Sequence, residues 1–572
     1  MMSKLNRWTS VLLLVALLGS ILVGCAPKAT PTPVPPKPTA VPTKAPPTAV
    51  PTPVPTQPPK PITLTIGDTY LVDTINPLVG WRNWPLRELW YDAPIEWTGM
   101  TNVEPGLAES WTTSEDGKVW TFKIRKNVTF NDGTPCTAKD VAWTLNFYIE
   151  TKASTMYTFI STFKKVEALD DTTLQITVDK PQATMISLAL IYAWVVPSKV
   201  WEGMTAQQAM EYQDIKVTLG TGPYKVVEYV KDEYMIMEAN PNYWRGKPVY
   251  DRIVYRVYPN ADAVVQALLA GEVDMIGIYS GVPSTAVQTL QNTANVGLLF
   301  GLGYKVNHLV LNSYEKGMQS PALKDPKVRQ AIAYSVDKKK IVNAAYLGYA
   351  TPAISVLPPA VGDYVNPNLK DIPFDPAQGK RVLEEAGYKD SNNDGVMEGK
   401  DGKPLELRLY GLEGATSARI VEIIADGLTQ TGIKPLVTMM KTDMMQALWP
   451  SHDFDLISRS WFIDPDPDFL LSLFVCGARC VSQADCGWSD SGYCDPAYDE
   501  MYVKQGGLLD RNARRDLIWT MQEKLFNDIP YVVLFYSQDI LGYRKDRFQF
   551  DQDSGNMRIR SVITHGKTKP VQ

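Results

Sequence analysis

The chain has 572 residues, 45% of them hydrophobic and 21% charged, which is the balance of a folded globular protein and a length that calls for two or three lobes rather than one core. A net charge of −5 gives no footing for a nucleic-acid partner. Its three histidines, His308, His452 and His565, lie far apart in the chain, which excludes local histidine metal motifs.

Residues 1–24 read as an export signal. Lys4 and Arg7 form a positive start, and Val11 to Val23 is an apolar run broken by Gly19 and Ser20, too short to span a bilayer comfortably. It ends in Leu22-Val23-Gly24-Cys25, which resembles a bacterial lipobox and implies a lipid on Cys25. Residues 25–60 are dominated by Pro, Thr, Ala, Val and Lys, a composition that builds no core, favours extended polyproline II and predicts a stalk.

Beyond the stalk the pattern is mixed α and β. Trp120, Phe122 and Ile124 alternate with Thr121, Lys123 and Arg125, as on a strand with one buried face. A turn at Asn131-Asp132-Gly133 leads to a helix capped by Thr137, with Asp140 in its first turn. Leu174, Ile176 and Val178 mark another strand. Val264 to Ala270 predicts a helix stopped at Gly271, followed by a strand at Val273 to Ile276. One long helix is expected from Lys327 to Leu347. Further helices are expected from Asp375-Pro376 to Gly387, from Arg419 to Gln430 and from Asn512 to Asp528. Strands are expected at Ile433 to Met440, at Phe454 to Ser458 and from Pro530 to Tyr536.

Two local patterns carry chemistry. Asp390-Ser391-Asn392-Asn393-Asp394-Gly395, with Glu398 and Asp401 after it, has the spacing of an oxygen-rich calcium loop, although an aspartate stands at the twelfth position; a plain polar hairpin is the alternative. Cys476, Cys480, Cys486 and Cys494 lie within nineteen residues and lack paired C-x2-C knuckles. In an exported protein they predict two disulfides of open connectivity, with Cys136 left as a thiol. There is no G-x-S-x-G and no H-E-x-x-H; Gly487-Trp488-Ser489-Asp490-Ser491 misses the nucleophile elbow at its last position.

Six separated segments are similar to one family. They are Glu104 to Trp111 with Phe130 to Pro135; Gly220-Thr221-Gly222-Pro223-Tyr224; Asn240 to Pro248 with Gly271 to Asp274; Asp325 to Ala333 with Asp337; Trp461 to Leu470; and Tyr493 to Pro496 with Asp499. In order and spacing they resemble the family 5 extracellular solute-binding proteins, the oligopeptide- and dipeptide-binding lipoproteins of ABC importers, over about residues 62–545. The resemblance implies an α/β, two-lobed clamshell of the periplasmic-binding-protein type with a small extra domain. Residues 61–82, 213–304 and 531–572 would form the first lobe, 83–212 the extra domain and 305–530 the second lobe.

It also implies a binding protein and no enzyme, with no resident cofactor. The protein would be a monomer on the outer face of the cell membrane or in the periplasm, held by lipid on Cys25 and delivering a peptide to a membrane permease. An oligosaccharide, a nickel chelate or another small solute is the rival cargo, and a secreted hydrolase the rival class. In peptide-binding members the first aspartate of the fifth segment takes the ligand's α-amino group. By position this is Asp464, with Trp461 and Phe462 beside it as pocket walls. Pro465 stands where an aromatic is common. Any of Trp81, Trp84, Trp90 and Trp97 could line the cleft or the core.

Overall fold

The structure is a computed structural model that describes residues 61–79, 84–98, 102–152, 154–277, 279–303, 305–482, 485–550 and 568–571. The expected signal, Cys25, the stalk, Trp81 and the side chain of Trp84 lie outside the described residues. No described helix is long and apolar enough to cross a membrane.

Two sheets organise the chain. One has seven strands, ordered Tyr224–Val230, Tyr234–Ala239, Arg252–Val257, Thr63–Asp68, Met275–Ile276, Asp539–Arg544 and Val296–Gly301. The other has six, ordered Ala350–Pro352, Tyr531–Ser537, Lys305–Leu311, Leu456–Phe462, Glu406–Leu412 and Lys434–Met440. The sequence expectation put residues 531–537 in the first lobe, but they pair with Lys305–Leu311 and Ala350–Pro352 in the second sheet. The chain therefore crosses back at Gln538, and the crossings at 302–303 and 538 lie side by side. A Cβ on Gly303 would meet the Ser537 carbonyl oxygen at 1.4 Å, so only glycine lets the two crossing strands pass.

Both faces of the six-stranded sheet are covered, and the two-residue period decides which side chain goes where. Leu309, Leu311, Leu456, Val532 and Leu534 face a core with helix Ala415–Gln430. Val306, Val310, Ile457, Tyr531 and Val533 face another core with helix Arg511–Asp528. The small domain is a four-stranded antiparallel sheet, Ala108–Thr113, Val119–Ile124, Thr173–Val178 and Phe163–Asp170, against helix Ala138–Thr151. Trp120, Phe122 and Ile124 are buried as their alternation predicts, and Thr137 and Asp140 close a capping box on the helix. Its core runs unbroken into that of the seven-stranded sheet, through Trp90, Trp97, Tyr224 and Tyr255.

Two local expectations are corrected. The single helix from Lys327 to Leu347 is two, Pro326–Tyr334 and Lys338–Ala345. The Ser335 hydroxyl turns back to the Ala331 carbonyl at 2.7 Å, and the Asp337 carboxylate restarts the helix by accepting the Lys340 N–H at 2.8 Å. The strand expected at Phe454 to Ser458 runs from Leu456 to Phe462, so Trp461 and Phe462 close the strand instead of opening a loop.

Candidate ligand cleft

Strand Leu456–Phe462 lies inside the six-stranded sheet, antiparallel to Lys305–Leu311 and parallel to Glu406–Leu412. Its carboxyl end pairs Phe462 with Lys305, just past the crossing from the other lobe. Crevices beyond strand carboxyl ends are where α/β folds hold ligands. Phe462 is 49% exposed, and the Lys305 ammonium lies 4.9 Å from its ring centroid. Burial lowers the Lys305 pKa against the opposing pull of Asp539 and Asp68.

The three aspartates after this strand have different surroundings. Asp466 is buried, and burial alone would raise its pKa. The Arg514 guanidinium grips both its oxygens at 2.6 and 2.7 Å and holds the carboxyl below the usual range. Asp468 accepts the Gln505 amide at 2.6 Å and the Tyr502 hydroxyl at 3.0 Å; burial, then the charge of Asp466, raises its pKa. Asp464 stays half-buried, and its Oδ1 accepts the hydroxyl of Tyr192 from the small domain. The Ser187 hydroxyl makes a second bridge, 2.5 Å to Asp466, and the Ala183 N–H a third, 2.8 Å to the Gly506 carbonyl. The two lobes thus touch at these aspartates.

Trp461 is held from behind. Its indole N–H donates to Asp490 at 3.0 Å, and Asp490 also accepts the Tyr531 hydroxyl. His308 Nε2 lies 3.5 Å from the same carboxylate, and its ring stacks on Tyr531 at 4.1 Å. Burial would raise the Asp490 pKa, but His308, Arg459 and the tyrosine hydroxyl hold it below the usual range. In front, Trp461 meets Phe469 and Trp488 edge-on, with centroids at 5.6 and 6.4 Å.

Beside these rings a cavity of ≈ 590 Å³ opens between small-domain and second-lobe residues, in the size range of small-ligand pockets. A cavity under Ile354 and Leu525 holds ≈ 30 Å³, room for water alone. Trp90 is wholly buried in the core, and Trp97 is buried edge-on behind Tyr192 at 6.2 Å, so neither lines this cavity.

Sequence reasoning singled out Asp464, Trp461 and Phe462, and the structure gathers them at one strand end. It missed Tyr192, Ser187, Asp490 and Arg514, whose partners lie far away in the chain. Trp488 carried a signal in its place between the loop cysteines. Cys476 pairs with Cys494 and Cys480 with Cys486; Cys136 is a buried thiol. Ser489 of the near-elbow is buried, and its hydroxyl accepts the Gly492 N–H at 3.1 Å.

In the acidic loop, Asp390, Asp394 and Glu398 bring oxygens within 4.8 Å of one another. The Asn392 side-chain oxygen Oδ1 accepts the Asp394 N–H at 2.9 Å, and Asp401 stands apart, paired with Lys403 at 3.4 Å.

Residues 102–479 match the family described as bacterial extracellular solute-binding proteins, family 5. The chain belongs to this family. It is 25% identical to the dipeptide-binding protein of Escherichia coli over 477 residues, 78% of this chain and 83% of that protein. It is 33% identical to heme-binding protein A of Haemophilus influenzae over 309 residues, 51% of this chain and 55% of that protein, so the match spans about half of that relative. The structure of the oligopeptide-binding protein AppA from Bacillus subtilis, in complex with a nonapeptide, superposes with a TM-score of 0.74 at 22% identity, covering 90% of this chain and 100% of that one. NikZ from Campylobacter jejuni, in complex with Ni(L-His), gives 0.76 at 24% identity, covering 89% and 99%. The fold is thus that of the two-lobed periplasmic binding proteins, and this family 5 member is a solute-binding protein and not an enzyme.

Proposed function

We propose that this protein captures short peptides between its lobes and hands them to the membrane permease of an ABC importer. The observation that carries the reading is Asp464. Asp464 sits half-exposed at the strand end, and one of its donors is a neutral phenol from the opposing lobe. An α-ammonium entering there replaces that donor with a charge-assisted one, which is stronger. Closure around the guest then shifts an open–closed equilibrium about the paired crossings at 302–303 and 538. Export, a lipid on Cys25 and a stalk over residues 25–60 would keep the receptor at the outer face of the membrane.

Calorimetry on Asp464→Ala with free-amine and N-acetylated peptides tests the reading. The variant should lose roughly 10- to 100-fold in affinity for the free amine, the worth of a hydrogen bond to a charged group. It should lose little for the blocked peptide, and equal losses for both would reject the clamp. Mass spectrometry of the co-purified solute would show whether the native cargo is a peptide.

A further inference from the structure

We propose that the cavity between the small domain and the second lobe is a chamber for an apolar ring carried by the bound solute, with Trp488 as its specificity-determining wall. The chamber of ≈ 590 Å³ is walled by Phe159 and Leu188 on the small-domain side and by Phe469, Trp488, Val503 and Leu508 on the other. The carboxylates that border it are engaged: Asp468 by Tyr502 and Gln505, and Asp179 by Lys164 at 3.4 Å. Exposed Lys180 and Lys504 also line the chamber, but most of its surface is aromatic and aliphatic, which favours a ring over a charge.

Two of the chamber's walls lead toward Asp464 through ring contacts, although Asp464, Trp461 and Tyr192 do not themselves line it. Phe469 and Trp488 pack on Trp461, and Phe159 packs at 5.6 Å on Tyr192, whose hydroxyl reaches Asp464. A guest held by its amine at Asp464 has this chamber one ring away.

Trp488 is mounted for the task. The Cys476–Cys494 disulfide closes the loop that carries it, and the Cys480–Cys486 disulfide ties the segment just before it. On one side of it the Gly487 N–H reaches the Arg479 carbonyl at 3.4 Å, and on the other the Ser489 N–H reaches the Ala478 carbonyl at 2.8 Å. A Cβ on Gly487 would lie 2.3 Å from the Ala478 oxygen, so this close approach needs glycine. The indole, 39% exposed, is thus a large apolar surface fixed in place before any guest arrives.

The choice of peptide probes rests on the peptide reading; the chamber itself does not. Calorimetry with Ala-Phe-Ala and Ala-Ala-Ala should show the ring-bearing peptide binding at least about tenfold tighter, as burial of a phenyl group implies. Trp488→Ala and the double variant Cys480→Ser/Cys486→Ser should each bring that ratio close to one. In parallel, the fluorine NMR line of fluoroindole should broaden with the unaltered protein and sharpen with Trp488→Ala.

If neither peptide binds but the fluoroindole line still depends on Trp488, the peptide reading fails and the chamber stands. Equal binding of the two peptides, or a ratio and a fluoroindole signal untouched by Trp488→Ala, would overturn the chamber. Should Trp488→Ala fold poorly, competition on the unaltered protein decides. Ala-Phe-Ala should then displace fluoroindole at concentrations where Ala-Ala-Ala does not, and equal displacement overturns the proposal.

Discussion

Two aspartates, Asp92 and Asp464, show how one residue type serves opposite ends. Asp92 is buried where the small domain meets the first lobe. It accepts the Trp244 indole N–H and the Thr221 hydroxyl, both at 2.9 Å, and the Tyr243 hydroxyl at 3.3 Å. Trp244 lies under two guanidinium groups, Arg125 at 4.7 Å and Arg245 at 4.4 Å, and Arg245 pairs with buried Glu96. Asp92 thus joins the Gly220 to Tyr224 and Asn240 to Pro248 motifs, with the strand after the Glu104 to Trp111 motif supplying Arg125. All of its named partners lie on its own side of the crossings and persist whether the lobes open or close. Asp464 takes its donor from across the lobes, a contact that can be made and broken. The most recognisable motifs therefore hold the fold, while the proposed amine clamp sits where a partner can be exchanged.

The largest effect is expected at Asp466, which shares Asp464's loop but is built like Asp92. Removing one partner of its buried, two-pronged pair with Arg514 strands a charge. Asp466→Ala should cost about 3–5 kcal/mol by urea unfolding. A loss near zero would place this pair with the exchangeable contacts. The pH profile sharpens the point. A carboxyl held below its ordinary range in the folded state stabilises the protein above the ordinary range of about 3.9, and the stabilisation is lost as pH falls from there through the folded value. Asp466→Asn should flatten that acid-side loss but not abolish it, because Asp490 is depressed as well.

Next in size is Asp92→Ala, which strands the buried hydroxyl and indole donors and should cost about 1–3 kcal/mol of stability. Its folded fraction should bind solute unchanged in calorimetry. An affinity loss in the folded fraction would show that Asp92 acts on the solute and not on the fold alone. Tyr192→Phe should do the reverse with a smaller effect, about 0.5–1.5 kcal/mol for one hydroxyl bond between the lobes. The unfolding midpoint should stay put, while small-angle scattering of the solute-free protein shifts toward the open form. An unchanged scattering curve would make the Tyr192–Asp464 contact incidental.

Much of the fold was legible because it is local. Burial of Trp120, Phe122 and Ile124 follows from alternation within one strand, and the Thr137 cap from a four-residue motif. The break at Ser335 was not, since it depends on a hydroxyl competing for a backbone carbonyl and bonding Thr431 at 2.9 Å, far along the chain. Residues 531–537 are an apolar run that reads alike in either sheet; only pairing with 305–311 assigns it. At the cleft, Asp464 and Trp461 could be named from one segment. Tyr192 stands 272 residues before its partner, and nothing near it in the chain marks it as one.

The smallest effect is expected at the acidic loop, where spacing suggests calcium and the contacts argue for self-sufficiency. The Gly395 N–H donates to Asp390 at 3.1 Å, the Val396 N–H to Asp394 at 2.8 Å and the Ser391 N–H to Glu398 at 2.7 Å. Each bond takes one oxygen of its carboxylate and leaves Asp390 Oδ1 buried without a hydrogen bond, but Asp401 is turned to Lys403 where the twelfth-position ligand belongs. Adding calcium to chelator-treated protein should therefore move the thermal midpoint by less than about 1 °C, since a weakly bound ion stabilises little at modest concentration. A shift of several degrees that Asp390→Asn removes would show that the loop yields its internal bonds to an ion, making this loop, like Asp464, a place where one partner is exchanged for another.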